Sequence, residues 1–298
     1  MKEQISEHPI VTIAVSCYNH ENYIESCINS ILQQTHPAIE LITYDDGSSD
    51  NSAQKLKELS NIHGFYFTQQ SNRGLSATLN DALAKAKGKY FCTVGSDDIL
   101  MLDKTAKQVA FMERRNDVAV CGGNALLIDT NGNLINKRQR FHPARDLCFD
   151  ELFENTKPGF ISPTAMIRTS HLREVGGYRS DIPLEDLYMW LKITFRGYKI
   201  HVINDVVLYY RKHGKNTYKD TSFMLASIIK TLEEYRDHPR YTDVIGRHLN
   251  SLLLNASKQG DRDLFRDILK RLSYSQYNSK TLRALVKYAF QYRIDNAR

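Results

Sequence analysis

No apolar run in the 298 residues approaches the ~20 that a membrane-crossing helix needs. The start, Met1 to Pro9, carries Glu3, Glu7 and His8 and lacks the basic-then-apolar layout of a signal peptide. Both absences predict a protein that stays on the cytoplasmic side. The five cysteines (Cys17, Cys27, Cys92, Cys121, Cys148) are scattered without a Cys-x-x-Cys pair, which argues against structural zinc and against a disulfide framework. No Gly-x-Gly-x-x-Gly follows the first apolar run, so a dinucleotide-dependent dehydrogenase does not fit. A nucleotidyltransferase would need a Gly- and Lys-rich phosphate loop near its start, and that is missing too. Repeats and low-complexity segments are also lacking.

What remains is ordinary globular composition, 42% hydrophobic and 25% charged, enough for a large α/β domain with or without a small appendage. The net charge of +6 is uneven. Charge signs are mixed through the first two-thirds, whereas the end carries Arg262, Arg266, Lys270, Arg271, Lys280, Arg283, Lys287 and Arg293. A basic end suits an anionic lipid or an acidic acceptor, or is a solvated helix face; no nucleic-acid partner is expected.

Apolar β-branched runs alternate with amphipathic segments through the first half. Strands are predicted at Ile10 to Val15, Ile39 to Tyr44, Phe65 to Thr68 and Tyr90 to Val94. Helices fall between and after them, at Asn22 to Gln34, Asn51 to Leu59, Leu75 to Ala86 and Lys104 to Arg114. The first of these puts Ile24, Cys27, Ile28, Ile31 and Leu32 on one face. This alternation implies an α/β fold with a mostly parallel sheet covered on both faces, and such sheets bind ligands beyond the carboxyl ends of their strands. Further strands are expected at Ala119 to Ile128, Thr164 to Arg168, Lys199 to Ile203 and Val206 to Tyr210. A helix opens at Pro183-Leu184-Glu185-Asp186, with Leu187, Trp190, Leu191 and Phe195 as its apolar positions. Beyond Ser222 only helical patterns remain, which divides the chain into residues 1–217 and a helical appendage, 218–298.

The loops after the first, second and fourth strands hold Ser16-Cys17-Tyr18-Asn19, Asp45-Asp46-Gly47-Ser48-Ser49-Asp50 and Gly95-Ser96-Asp97-Asp98. Ser71-Asn72-Arg73-Gly74 adds a cation near the same edge. Asp, Ser and Gly are also what helix-capping turns prefer, but capping does not call for paired acids. The order Ser-x-Tyr-Asn, Asp-Asp-Gly-Ser-x-Asp, Asn-x-Gly-Leu, Ser-Asp-Asp, Glu-Asp and Tyr-Arg-x-His resembles the inverting family-two glycosyltransferases of the GT-A fold, over Ile10 to His213.

That resemblance implies transfer of a sugar from a nucleotide donor, most simply a UDP-sugar, to a glycan or lipid-linked glycan acceptor in surface polysaccharide synthesis. On it, Ser16 and Tyr18 lie at the donor and the Tyr18 ring stacks on the base. Asp46 reads the base edge with Asp45 supporting the loop, and Arg73 reaches the base or a phosphate. Asp97 is the metal ligand, for Mn2+ or Mg2+, because a hard divalent cation stabilises a departing diphosphate. The family's Asp-x-Asp reads Gly95-Ser96-Asp97 here, so the first acid is missing. Asp98, or Ser96 with water, is the expected substitute, and His213 returns to the metal or diphosphate. Asp186 is the base that deprotonates the acceptor hydroxyl, with Glu185 supporting it; first-turn acids also arise simply from the helix dipole. The Gln-x-x-Arg-Trp of processive relatives is absent, the lone tryptophan being Trp190. The alternative is a degenerate nucleotide-sugar-binding module.

Near the end, Leu282, Leu285, Val286, Ala289 and Phe290 form an apolar stripe. Lys280, Arg283, Lys287 and Arg293 flank it, with Tyr288 and Tyr292 at its edges. Such a stripe packs on Leu252, Leu253 and Leu264, pairs with a second subunit in a homodimer, or lies in a membrane interface as a peripheral contact.

Overall fold

A computed structural model describes residues 8–135, 139, 141–182, 184–214 and 219–296, with side chains to residue 290. Met1 to Glu7, Pro183, the junction expected after residue 217 and the side chains of Tyr292 and Arg293 lie outside the described residues. The chain divides into two compact units, Met1–Gly214 and Lys215–Arg298.

In the first unit β1 (Val11–Cys17), α1 (Ile24–Leu32), β2 (Ile39–Asp46), α2 (Ser52–His63), β3 (Tyr66–Gln70), α3 (Leu75–Lys85) and β4 (Tyr90–Gly95) alternate. Then come β5 (Ile99–Leu100), α4 (Lys104–Arg114), β6 (Val118–Ile128), β7 (Arg145–Leu147) and α5 (Phe149–Phe153). The unit closes with β8 (Met166–Arg168), α6 (Thr169–Glu174), α7 (Glu185–Phe195) and β9 (Lys199–Arg211). One mixed sheet runs β3-β2-β1-β4-β8-β6-β9-β5, with β7 also on β9. Its long ladders, β1 with β2 and β4, β2 with β3, and β6 with β9, are parallel. β8 is antiparallel to both β4 and β6, a reversed strand between two parallel blocks that run the same way.

β1 alternates between two cores. Val11, Ile13, Val15 and Cys17 pack with Ile24, Cys27, Ile28 and Ile31 of α1 and Met112 of α4. Ala14 faces the other way, among Leu79 and Leu83 of α3 and Met189 and Ile193 of α7. Helices therefore cover both sheet faces, which is why the central strands are apolar on both sides. Ser16 pairs with Gly95 on β4 and Tyr44 on β2, and Cys17 with Asp45. That register ends the three strands at one level and gathers their loops.

The structure departs from the sequence reading at several points. Leu32 and Phe195 are exposed rather than part of the buried faces of α1 and α7. The two strands expected between Lys199 and Tyr210 are the single strand β9, which absorbs irregularities in register against β6 near Gly122 and Asn124. β5, β7, α5 and α6 were not anticipated.

The second unit holds α8 (Thr221–Glu233), α9 (Tyr241–Gln259), α10 (Arg262–Arg271) and α11 (Ser279–Asn296). Asp220 and Asp261 cap α8 and α10 by accepting Phe223 N–H (2.9 Å) and Leu264 N–H (3.0 Å). α11 docks through buried Thr281 and Ala284 and through Tyr288, stacked on Phe265 with centroids 4.2 Å apart. Leu252 and Leu253 are buried, but the face of α11 turned inward is not the expected stripe. Leu282, Val286 and Phe290 are 65%, 49% and 65% exposed.

Candidate active site

Three successive residues of the β4–β5 loop each hold a different partner. Ser96 Oγ lies 2.7 Å from His20 Nδ1, and Asp97 Oδ2 lies 2.9 Å from His213 Nε2. Asp98 Oδ1 accepts the Arg211 backbone N–H at 2.9 Å. Arg211 is buried, donates its Nε–H to the Asp97 carbonyl (2.8 Å) and sits 4.7 Å from the Tyr23 ring centre. The end of β9 is thus tied to the end of β4, which brings His213 to Asp97. One ligand atom each from His20, Asp97 and His213 lies within 4.8 Å of the others. Two imidazoles and a carboxylate are a donor set that fits a divalent transition ion.

Asp98, expected as a substitute ligand, is not in that cluster. It is 1% exposed, and burial together with the charge of Asp97 pushes its carboxyl well above the usual range. Its role is to anchor β9. Gly95 belongs to the same packing: a Cβ there would stand 2.8 Å from Asp97 Oδ1 and 3.0 Å from Asp98 Oδ2. Those atoms are carboxylate ends, so a side chain at the position of the missing first acid requires Asp97 and Asp98 to shift.

On the donor side Tyr18 is 51% exposed just past β1, an open ring face. Ser16, one position inside the strand end, is half-buried beside Gly95. The two acids of the β2 loop differ. Asp46 accepts from Gln70 Nε2 (2.8 Å), Arg73 N–H (2.9 Å) and Gly74 N–H (2.9 Å), so its carboxylate is occupied in holding the β3–α3 loop. Asp45 accepts Ser48 N–H with Oδ1 (3.0 Å), and its buried Oδ2 has no hydrogen-bond partner. The resemblance gave the base edge to Asp46 and the loop to Asp45; in the structure Asp46 is engaged with the β3–α3 loop, and Asp45 Oδ2 is buried without a protein partner. The Arg73 guanidinium pairs with Asp81 on α3 at 2.6 Å, half-exposed, rather than with the acids of the loop. Gly47, at φ 82°, lets the two loops touch, since a Cβ there would meet Asn72 N at 2.7 Å.

Glu185 and Asp186 open α7, both half-buried. The approach to them is fixed from α3: Asn80 bonds Tyr178 O (2.7 Å) and Tyr178 N–H (2.9 Å), and Ser76 Oγ donates to Ile182 O (3.2 Å). Burial, then the neighbouring Asp186 charge, lifts Glu185 to about 8. Burial also raises Asp186, but Leu187 N–H at 2.6 Å and the Ser162 hydroxyl favour its ionised form. The two adjacent carboxyls therefore differ in surroundings, with the Leu187 N–H and the Ser162 hydroxyl beside Asp186. Ser162 comes from the Pro158 to Pro163 loop, held by Arg145, whose Nη2 donates to Pro158 O (2.8 Å) and Gly159 O (2.7 Å).

Residues 12–176, more than half the chain, match the family described as glycosyl transferase family 2. The chain belongs to that family. It is 29% identical over 213 residues to TuaG of Bacillus subtilis, a protein named for teichuronic acid biosynthesis, covering 68% of this chain and 79% of TuaG. It is 29% identical over 184 residues to WfgD of Escherichia coli, a UDP-Glc:alpha-D-GlcNAc-diphosphoundecaprenol beta-1,3-glucosyltransferase, covering 62% of this chain and 69% of WfgD. Among solved structures, Staphylococcus aureus TarS 1–349 with UDP-GlcNAc superposes at a TM-score of 0.69 and 18% identity, covering 95% of this chain and 89% of TarS 1–349. The fold is GT-A and the protein is a glycosyltransferase. His20, which sequence reasoning passed over, is the residue this site adds; a histidine after Tyr18-Asn19 carries no spacing signal of its own.

Proposed function

We propose that the enzyme moves a hexosyl or N-acetylhexosaminyl group from a UDP-sugar to a hydroxyl of a lipid-linked glycan, with inversion, in the building of a surface polysaccharide. The observation that carries this is the Glu185–Asp186 pair opening α7, with the Leu187 N–H at 2.6 Å from Asp186, in the same unit as the three donor-side loops. A general base must be ionised at the working pH and next to the proton it takes. The donors beside Asp186 favour its charged form, and the lift of Glu185 to about 8 favours its neutral one. Asp186 accepts the acceptor's hydroxyl proton while that oxygen bonds the anomeric carbon, and the bond to the diphosphate breaks with its electron pair leaving on the diphosphate. One displacement inverts the anomeric centre. Glu185 is suited to donate a hydrogen bond to a neighbouring acceptor hydroxyl. Tyr18 offers the base a stacking face, and the loop of Asp45 and Asp46 supplies the acids for the base edge. Asp97 and His213 would hold a divalent ion, Mn2+ or Mg2+, which would supply charge stabilisation for the departing diphosphate.

WfgD is named for a UDP donor and a diphosphoundecaprenol acceptor, and TarS was solved with UDP-GlcNAc, which supports the donor and acceptor classes. The same reading puts the enzyme at an anionic membrane surface. No described helix is long and apolar enough to cross a membrane. However, α11 presents Leu282, Val286 and Phe290 outward, with Arg283 and Lys287 beside them and no acid before Asp295. Anionic lipid complements that charge, whereas a second copy of the same face brings like charges together.

The test is transfer from UDP-glucose and UDP-GlcNAc, with Mn2+, to a polyprenyl-diphosphate-linked glycan, followed by NMR of the product anomer. The expected product has the anomeric configuration opposite to the donor's. A retained configuration, or no transfer from either donor, overturns the reading.

A further inference from the structure

The β1–α1 loop is built to hold one imidazole in place. Asn19 turns the chain at φ 55°, a left-handed conformation that asparagine tolerates. Its N–H donates to Ser48 Oγ (2.9 Å), its Oδ1 accepts Ser49 N–H (2.8 Å), and the next N–H, of His20, donates to Ser52 Oγ (2.9 Å). The loop is therefore fixed on the β2–α2 loop before its side chain is considered. The His20 ring is then held from two sides. Ser96 Oγ takes Nδ1, and the ring stands edge-on to Tyr23 and to His213, with centroids 5.7 Å and 5.6 Å away. Tyr23 also stacks on His213 at 5.9 Å, so one aromatic wall orients both histidines. Nitrogens of a metal centre are held in this manner, with a hydrogen-bonding neighbour fixing each ring.

We propose that His20 is a metal ligand that takes over the work of the acid missing at Gly95, making a two-histidine, one-aspartate centre selective for Mn2+ over Mg2+. This rests on the metal-assisted reading above and goes beyond it by naming a ligand and a selectivity. Position 95 cannot supply an oxygen donor without displacing Asp97 and Asp98. A nitrogen donor instead enters from the β1 side, oriented by Ser96, the middle residue of the same short motif. Replacing one carboxylate by one imidazole removes a negative charge from the centre and changes which ion it favours. Mg2+ takes oxygen ligands, keeps much of its water and gains little from imidazole, while transition ions accept nitrogen readily.

The test uses the full chain with Mn2+ and UDP and reads bound Mn2+ by electron paramagnetic resonance, with nitrogen couplings resolved by spin-echo modulation. Two imidazole couplings are expected in the wild type and one in His20→Ala. Mn2+ affinity in that variant should fall at least about tenfold, the smallest loss usual when even a supporting partner of a metal ligand is removed. Equimolar Mg2+ should leave the wild-type Mn2+ signal in place. The wild-type spectrum decides the matter even if His20→Ala folds poorly. One imidazole coupling, displacement of Mn2+ by equimolar Mg2+, or no bound Mn2+ at all overturns the inference. If sugar transfer proceeds while only one imidazole is seen, the inference fails and the proposed function stands. If two imidazoles are seen but no UDP-sugar is turned over, the function fails and the centre stands.

Discussion

At the scale of single residues the proposed chemistry rests on two neighbouring carboxyls, Glu185 and Asp186, in different surroundings. Asp186→Asn retains shape but cannot take a proton, so kcat should fall by ~10²–10⁴ while donor affinity, measured calorimetrically with UDP, stays unchanged. An active Asp186→Asn beside an inactive Glu185→Gln would move the base to Glu185. Glu185 also has a signature in stability. Its carboxyl is lifted to about 8 by burial and by Asp186, so the folded state holds the proton more tightly than the unfolded chain. The stability this brings is fully present below the ordinary glutamate value of about 4.3 and is lost as pH rises through about 8. Glu185→Gln cannot lose a proton. Its Tm should therefore gain on the wild type from pH 5 upward and level off above pH 8; a difference independent of pH would contradict the lifted carboxyl. The motif order named Asp97 and His213 together, and the structure brings them within 2.9 Å of each other. The loop contacts of Asp45 and Asp46 were not legible, because adjacent acids point to opposite faces of a strand and only the partners of each show which is already engaged.

Elements differ in how far they could be read. The alternating half, from β1 to α4, follows from local period alone, since each strand is buried on both faces and each helix carries one apolar stripe. β5 and β7 are two and three residues long and exist because the edge of β9 needs partners, a requirement that arises 53 to 110 residues away. The stripe of α11 was visible, but its direction was not. Packing selects Thr281, Ala284 and Tyr288 for the inner face and leaves Leu282, Val286 and Phe290 outside. Changing those three to serine should barely move Tm, as exposed substitutions usually stay within about 0.5 kcal/mol. It should also abolish cosedimentation with phosphatidylglycerol vesicles at low salt. Wild-type protein that stays in the supernatant would make the stripe something other than a lipid contact.

For the molecule as a whole, charge is divided by unit. Lys215–Arg298 carries 16 Lys and Arg against 9 Asp and Glu, while Met1–Gly214 carries 24 against 25, so the net positive charge belongs to the helical unit. Vesicle binding should therefore weaken steeply as salt is raised from about 0.05 to 0.5 M, where screening shortens the reach of exposed charge. Transfer to a short water-soluble acceptor over the same range should change little, and parallel loss of both would mean that salt acts on the site itself. The tie between Asp97 and His213 spans 116 residues of sequence and has a consequence in time. On a ribosome adding about 5–20 residues per second, some ten seconds separate the two residues. During that interval the loops after β1, β2 and β4 already exist, while His213 and the strand before it do not. With the proposed centre, a nascent or prematurely ended chain cannot close around a cellular sugar nucleotide, and capacity to spend donor arrives only with the last strand of the sheet.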